Sequence, residues 1–373
     1  MFTRLIASLA CAISVAAQEP TRIALAARTG TVPHGFTNVT SVRELADGRV
    51  LLIDARERTV FVADFATKSV TAVGRQGQGP LEYSRPLHLV PLPNGRTLVQ
   101  DPGNARFLEV GSDAAIRGVW SAVGETNASI TLPPRSIAMD AWRSDLFGRL
   151  YYEPYPRTAG AVTRAAVVRL DVRQRIVDTA ATYTLRNRTG AYEVSSPRAN
   201  ELVVQEHVWT PRSQWLVAPD GRIALAEPDP YRVLWLSDAK RVEGAPVQFT
   251  PVRVTERDRE EYLEARGRPA GGGPAGTARN PVKRAGEPIF PATMPPFVGR
   301  EALQLAPDGR LWIARSKNAT NPIQAYHVFD AGGRLTGTVE LPPDRRIVGF
   351  GARAMFVIHR DADDLEYLER YRW

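Results

Sequence analysis

The 373-residue chain carries 48 lysines plus arginines against 40 acids, a formal net charge of +8, and its only lysines are Lys68, Lys240, Lys283 and Lys317. The arginines are spread through nearly every turn and strand, as in a GC-rich coding background, and form no stripe with interleaved aromatics, which argues against a nucleic-acid partner. The one cysteine, Cys11, falls inside an N-terminal leader, so the rest of the chain has no thiol for a disulfide, a thiolate metal site or a nucleophile.

That leader reads as a secretory signal over residues 1–17. Arg4 supplies a positive n-region, Leu5 to Ala17 an apolar h-region, and Val15-Ala16-Ala17 a small-residue cleavage site before Gln18. Its apolar run is shorter than the about 20 residues needed to span a bilayer. The expected location is therefore secreted or periplasmic, with no membrane span in the mature chain. A lipoprotein box at Ser8-Leu9-Ala10-Cys11 is the weaker alternative, because it leaves a very short apolar region before it. The mature chain, 18–373, is long enough to be held by its core alone.

One turn then recurs five times, each time before an alternating apolar run. It is Asp47-Gly48-Arg49 before VLLID, Asn94-Gly95-Arg96 before TLVQD, Phe147-Gly148-Arg149 before LYYEP, Asp220-Gly221-Arg222 before IALAE, and Asp308-Gly309-Arg310 before LWIAR. Asp-Gly and Asn-Gly suit two-residue type I′ hairpins, with positive φ at both central positions. Repeated meanders of this kind predict a β-propeller.

In chain order the predicted blades are Asn38 to Gly74, Leu87 to Ala122, Ile137 to Tyr183, Gln214 to Phe249 and Ala302 to Leu341, each of four strands around its turn. Ile347 to Phe350, Ala354 to His359 and Leu365 to Arg372 give a sixth blade that lacks its outer strand. Thr21 to Arg28, left over at the mature N-terminus, is expected to complete it and close the ring, since an open ring would expose strand edges. The expectation is an all-β, six-bladed propeller of four-stranded blades in one domain, 18–373, and a monomer. Between blades four and five, residues 255–298 hold the charged TERDREEYLEARGR, read as a short solvated helix, and then the Gly- and Pro-rich run from Pro269 to Pro274. This insertion is expected to be flexible.

Between the first two blades stands Gly74-Arg75-Gln76-Gly77-Gln78-Gly79-Pro80-Leu81-Glu82-Tyr83, and Asp101-x-x-Asn104-x-Arg106 follows in the second. The loop resembles the G-x-x-G-x-G-P-x-E-[FY] segment of the bacterial six-bladed β-propeller family related to NHL repeats, and the second run resembles the NHL pattern D-x-x-N-x-R. The match is confined to the first two blades. The resemblance implies the fold, and a range of roles from protein-interaction modules to a minority of lactone hydrolases and amidating lyases. A phosphate cradle is disfavoured, because Pro80 and a strand follow the glycines where a helix N-terminus and a lysine would be needed. Glu82 reads as a carboxylate that fixes the loop.

In a propeller, the ends of the second strands share a face with the crossovers between blades. Asp54, Asp101, Glu153, Glu227 and Arg315, with His359 or Arg360 of the last blade, form an approximate ring there. This face is the expected site for a polar or cationic ligand or a protein partner, though each acid could instead cap its own turn or pair with a nearby arginine, Asp54 with Arg56 and Asp101 with Arg106. His88 on the second inner strand is the histidine best placed to face the channel. No HExxH, HxH, GxSxG, SxxK or DxDxDG motif occurs. The leading expectation is recognition without turnover and without a cofactor. The alternative is a hydrolase or lyase with one divalent metal, calcium or zinc, in the channel, held by His88 with Glu44 or Glu301.

Overall fold

The computed structural model describes residues 20–121, 142–154, 164–174, 176–184, 192–198, 201–267, 282–284, 286–299 and 301–373. Two short strands come first, β1 (Thr21–Arg22) and β2 (Arg28–Thr31). Blade 1 is β3 (Val39–Glu44), β4 (Val50–Asp54), β5 (Thr59–Asp64) and β6 (Ser69–Ala72). Blade 2 is β7 (His88–Pro91), β8 (Thr97–Asp101), β9 (Arg106–Val110) and β10 (Ile116–Ser121). Blade 3 is β11 (Arg143–Ser144), β12 (Leu150–Tyr152), β13 (Arg164–Asp171) and β14 (Ile176–Thr184). After the pair β15 (Tyr192–Arg198) and β16 (Glu201–Glu206) comes blade 4, made of β17 (Gln214–Val217), β18 (Ile223–Pro228), β19 (Tyr231–Leu236) and β20 (Arg241–Glu243). The excursion that follows contains β21 (Val252–Arg253), α1 (Glu256–Gly267), β22 (Val282–Arg284) and β23 (Thr293–Met294). Blade 5 is β24 (Leu303–Leu305), β25 (Leu311–Ala314), β26 (Ala325–Phe329) and β27 (Leu335–Glu340). Blade 6 is β28 (Arg345–Phe350), β29 (Ala354–Arg360) and β30 (Glu366–Arg372), completed by β2.

The fold is thus the expected six-bladed propeller, closed by an N-terminal strand, but the closing residues differ from Thr21 to Arg28. It is Arg28–Thr31 that pairs antiparallel with β30. Thr21–Arg22 instead lies parallel to β27 as a fifth strand on blade 5. Gly337 permits this, since a Cβ there would sit 2.5 Å from Ile23 Cδ1. The N-terminal segment therefore clasps two blades. Arg28 Nη1 donates to Glu369 Oε1 at 2.6 Å across the seam.

The core is a set of seams between neighbouring blades. Six buried apolar clusters lie between blades 6 and 1, 1 and 2, 2 and 3, 3 and 4, 4 and 5, and 5 and 6. Each strand alternates its apolar side chains between two seams, which is why the sequence alternates and why no blade is stable without its neighbours.

The repeated turn has a physical cause that differs from the one expected. Asn94 and Gly95 both have positive φ, at 61° and 71°, as a type I′ turn requires, but Asp47, Asp220 and Asp308 do not join them. At those turns only the glycine is left-handed, with φ of 87°, 88° and 81° for Gly48, Gly221 and Gly309. Such turns are of type I followed by a left-handed glycine. The arginine closes each one: Arg49, Arg222 and Arg310 donate from Nε to Asp47, Asp220 and Asp308 at 2.7, 2.7 and 2.5 Å. Arg222 and Arg310 also lie over the rings of Trp235 and Trp373.

The described part of the 255–298 excursion is built against the ring. Thr255 and Asp258 form a capping box at the start of α1: Thr255 N donates to Asp258 Oδ2 at 2.7 Å and Asp258 N to Thr255 Oγ1 at 3.2 Å. Asp258 Oδ1 accepts the Ala319 N–H at 2.7 Å, tying the helix to blade 5. Tyr262 donates to Glu206 at 2.6 Å and packs on Trp209 and Phe290. The Pro269 to Pro274 run, the leader and most of the predicted strand Ile137 to Trp142 lie outside the described residues. No helix among the described residues is long and apolar enough to cross a membrane.

Candidate ligand-binding site

The crossover face is held together by the acids that end the second strands. Asp54 is fully buried, and its carboxylate accepts the N–H groups of Thr37 at 2.5 Å, Asn38 at 3.2 Å, and Arg56 and Glu57 at 3.1 Å. One side chain thereby joins the segment entering blade 1 to the turn between its second and third strands. Asp101, also fully buried, does the same in blade 2, accepting from Ser84 at 3.1 Å and Arg85 at 2.7 Å, with Arg106 at 3.9 Å. Glu366 is the counterpart in blade 6; it accepts the Val39 N–H at 2.7 Å and pairs with Arg346 at 2.9 Å.

The remaining acids of the predicted ring are engaged too. Glu153 Oε2 accepts from the Tyr183 hydroxyl at 2.5 Å and the Trp215 indole at 3.1 Å. Glu227 pairs with Arg232 at 2.8 Å. His88 begins inner strand β7 opposite Gln100 and is already engaged within the fold. Arg360 pairs with Glu366 at 3.1 Å. The acids of the second-strand ends serve as pins for the loops of this face.

The glycine loop is fixed by the same kind of bond. Glu82 accepts from Gly79 N at 2.8 Å and from Arg75 at 2.6 Å. A Cβ on Gly77 would lie 1.9 Å from Glu82 Oε2, so the glycine makes room for the carboxylate. Asn104 and Arg106 reach back to the carbonyls of Gly77 at 3.0 Å and Gly79 at 2.6 Å. The two family-like motifs thus bind each other.

Arg315 differs from every other member of the ring. The first residue of each turn and the second-strand end lie seven positions apart in Asp47 and Asp54, Asn94 and Asp101, and Asp220 and Glu227; in blade 5 the same step from Asp308 reaches an arginine. Its Nη1 donates to His327 Nε2 at 2.7 Å. Since an arginine donates only, Nε2 must carry a lone pair, and Nδ1–H then faces the Tyr231 hydroxyl 3.1 Å away. Burial, and then the Arg315 charge, push the His327 pKa down to about 3. Burial also lowers Arg315 itself, which has no carboxylate partner among the described residues.

Arg315, Ser316, Lys317 and His327 line a pocket of about 280 Å³ at the crossover end of blade 5, together with Val252 and Glu340. Arg315 Nε and Ser316 Oγ are buried without a hydrogen-bond partner among the described residues. Sequence reasoning placed Arg315 in the ring as one of two bases beside four acids. The signal for more was the break in the repeat, an arginine where three other blades place an acid.

A second polar group stands near the propeller axis. Glu301, just before inner strand β24, has its carboxyl pushed up by loss of water, against the pull of Arg346 and Arg143. Those arginines lie on the inner strands of blades 6 and 3, on opposite sides of the ring. Sequence reading offered His88 with Glu44 or Glu301 as holders of a channel metal, and the structure separates Glu44 from the other two. Glu44 sits by the first blade's turn and accepts the Ala352 N–H at 2.7 Å, at the opposite end of the channel from His88 and Glu301. Among the described residues no three His, Cys, Asp or Glu side chains could share a metal ion.

No family model matches the chain, and no curated protein matches it. Among solved structures it is similar to regucalcin, a calcium-binding protein from Agrobacterium tumefaciens, at 12% identity and a TM-score of 0.45, over 95% of this chain and 97% of that one. It is also similar to virginiamycin B lyase from Staphylococcus aureus, at 8% identity and a TM-score of 0.44, over 93% and 98%. A gluconolactonase from Xanthomonas campestris gives 10% identity and a TM-score of 0.43, over 95% of each chain.

Proposed function

We propose that the chain is an exported propeller that works by recognition without turnover, binding a small polar ligand or a protein partner on its crossover face. The observation that carries this reading is the asymmetry of the two faces. Turns on one face are short, and their arginines are spent on their own aspartates. The other face carries α1, the β21 and β23 pair, and the pocket around Arg315.

The test is a melting-temperature screen of small polar metabolites against the mature chain and a variant whose residues 255–292 are replaced by a short Gly-Ser linker. Ligands that stabilise the parent and lose their effect in the variant support the crossover face. Ligands that stabilise both equally contradict it.

A second reading, an enzyme working in the channel, is favoured by Glu301, whose carboxyl is pushed up by loss of water, as suits a proton donor. Conversion of a bound metabolite that is lost in Glu301→Gln would select it.

A further inference from the structure

Other partly buried guanidinium groups of the crossover face have an acid or a carbonyl as partner. Arg106 bonds the carbonyls of Gly79 and Glu82, Arg346 pairs with Glu366, and Arg232 with Glu227. Arg315 is partly buried, its one side-chain hydrogen bond among the described residues goes to a neutral imidazole, and its Nε is buried without a partner there. A desolvated cation of this kind is unfavourable unless an anion completes it. His327 holds one edge of the guanidinium plane, and the Phe249 ring lies 5.9 Å from its carbon, so the fork is fixed in direction.

The neighbouring groups are donors as well. Ser316, only 8% exposed, lines the same pocket, and its Oγ is buried without a partner among the described residues. Its own N–H is anchored on the Pro296 carbonyl at 3.0 Å, which sets the residue in place. Lys317 Nζ reaches the Pro322 carbonyl at 2.9 Å at the mouth, with its charge still available. The one carboxylate among the lining groups, Glu340, is paired with Arg22 at 2.8 Å.

From this we infer that the pocket at the crossover end of blade 5 is an anion site, taking the oxyanion end of a carboxylate or phosphoryl compound on Arg315, Ser316 and Lys317. The inference rests on the recognition reading above and gives it a ligand class. The orphaned atoms turn toward the anion by side-chain rotation at Ser316 and by the planar donor fork of Arg315. The clasp by β1 bears on this site, since Arg22 neutralises the carboxylate that would otherwise repel such a ligand.

The experiment is a titration of the mature chain with sodium acetate and, separately, inorganic phosphate at constant ionic strength. It follows the Nε–H signal of Arg315 by nitrogen-15 NMR, that signal being identified by its loss in Arg315→Gln. A saturable shift at millimolar anion is expected, roughly tenfold weaker in Ser316→Ala and stronger in Glu340→Gln. Saturation by acetate alone assigns a carboxylate ligand, by phosphate alone a phosphoryl ligand, and by both a general oxyanion site. If Arg315→Gln does not fold, Arg315→Lys and Ser316→Ala provide the comparison. Absence of a saturable shift with either salt, or saturation unchanged in Ser316→Ala and Glu340→Gln, overturns the site. In that event a ligand that still depends on residues 255–292 leaves the recognition reading standing, so the two fail separately.

Discussion

The Arg315 guanidinium is bonded to the His327 imidazole, Nη1 to Nε2, at 2.7 Å. A cation facing a ring that could itself become a cation has a consequence for acid stability. His327 is pushed down to about 3, first by burial and then by the Arg315 charge, from 6.5. Its folded pKa is therefore the lower one, and the unfolded chain binds the proton more readily between the two values. Stability from this residue is complete above pH 6.5 and is lost as the pH falls toward 3, at up to about 1.4 kcal/mol per unit. Denaturant melts of the parent and His327→Gln between pH 7 and 4 should converge as the pH falls, and parallel curves would contradict the assignment.

Buried Asp54 and exposed Asp47 occupy one blade and separate structural from incidental acids. Removing the Asp54 carboxylate strands several backbone N–H groups in the interior, so Asp54→Ala should cost about 3 kcal/mol or more. Asp47→Ala breaks a solvent-facing pair with Arg49 and an exposed bond from Arg49 N, and should cost about 1 kcal/mol. Chemical denaturation of the two variants checks the contrast.

Closure of the ring depends on β2. Arg28→Ala removes a half-exposed partner from Glu369, which keeps Arg345 and Tyr371, and should cost about 1 kcal/mol. Deleting residues 18–31 unpairs β30 from Glu369 to Tyr371, leaving it bonded along that edge only to Val32 and Phe36, and should lower the melting temperature far more than Arg28→Ala does. Equal losses would show that the strand itself contributes little.

Glu301 gives a pH effect of the opposite sense. Its folded pKa lies above the unfolded one, so its contribution is greatest at low pH and is lost as the pH rises through that interval. Glu301→Gln should be no more stable than the parent near pH 4 and should gain on it toward pH 7, as followed by melting temperature.

Much of the architecture was legible because a propeller repeats one physical problem. Asp-Gly-Arg marks the turn since the glycine alone can be left-handed there and the arginine closes on the aspartate. Alternating runs mark strands that serve two seams. The end of the chain was less legible: Thr21 to Arg28 alternates as well as Arg28–Thr31 does, and only pairing with β30 and β27 distinguishes them. The accessory strands β15, β16 and β22 escaped sequence reading because they belong to no repeat. Asp54 and Asp101 were visible as a ring, yet their burial was not, because a loop-pinning acid and a ligand-binding acid look alike in sequence. Arg315 was readable only as an exception to the pattern that the other blades establish.

The central claim is that this face binds its ligand and returns it unchanged. The most direct measurement is to incubate the mature chain with each metabolite that raises its melting temperature, then recover and weigh that metabolite by mass spectrometry. The account predicts intact ligand at every time point and a thermal shift that is reduced in Arg315→Gln. Conversion of the ligand by the parent chain, abolished in Glu301→Gln, would contradict it and place the chemistry in the channel.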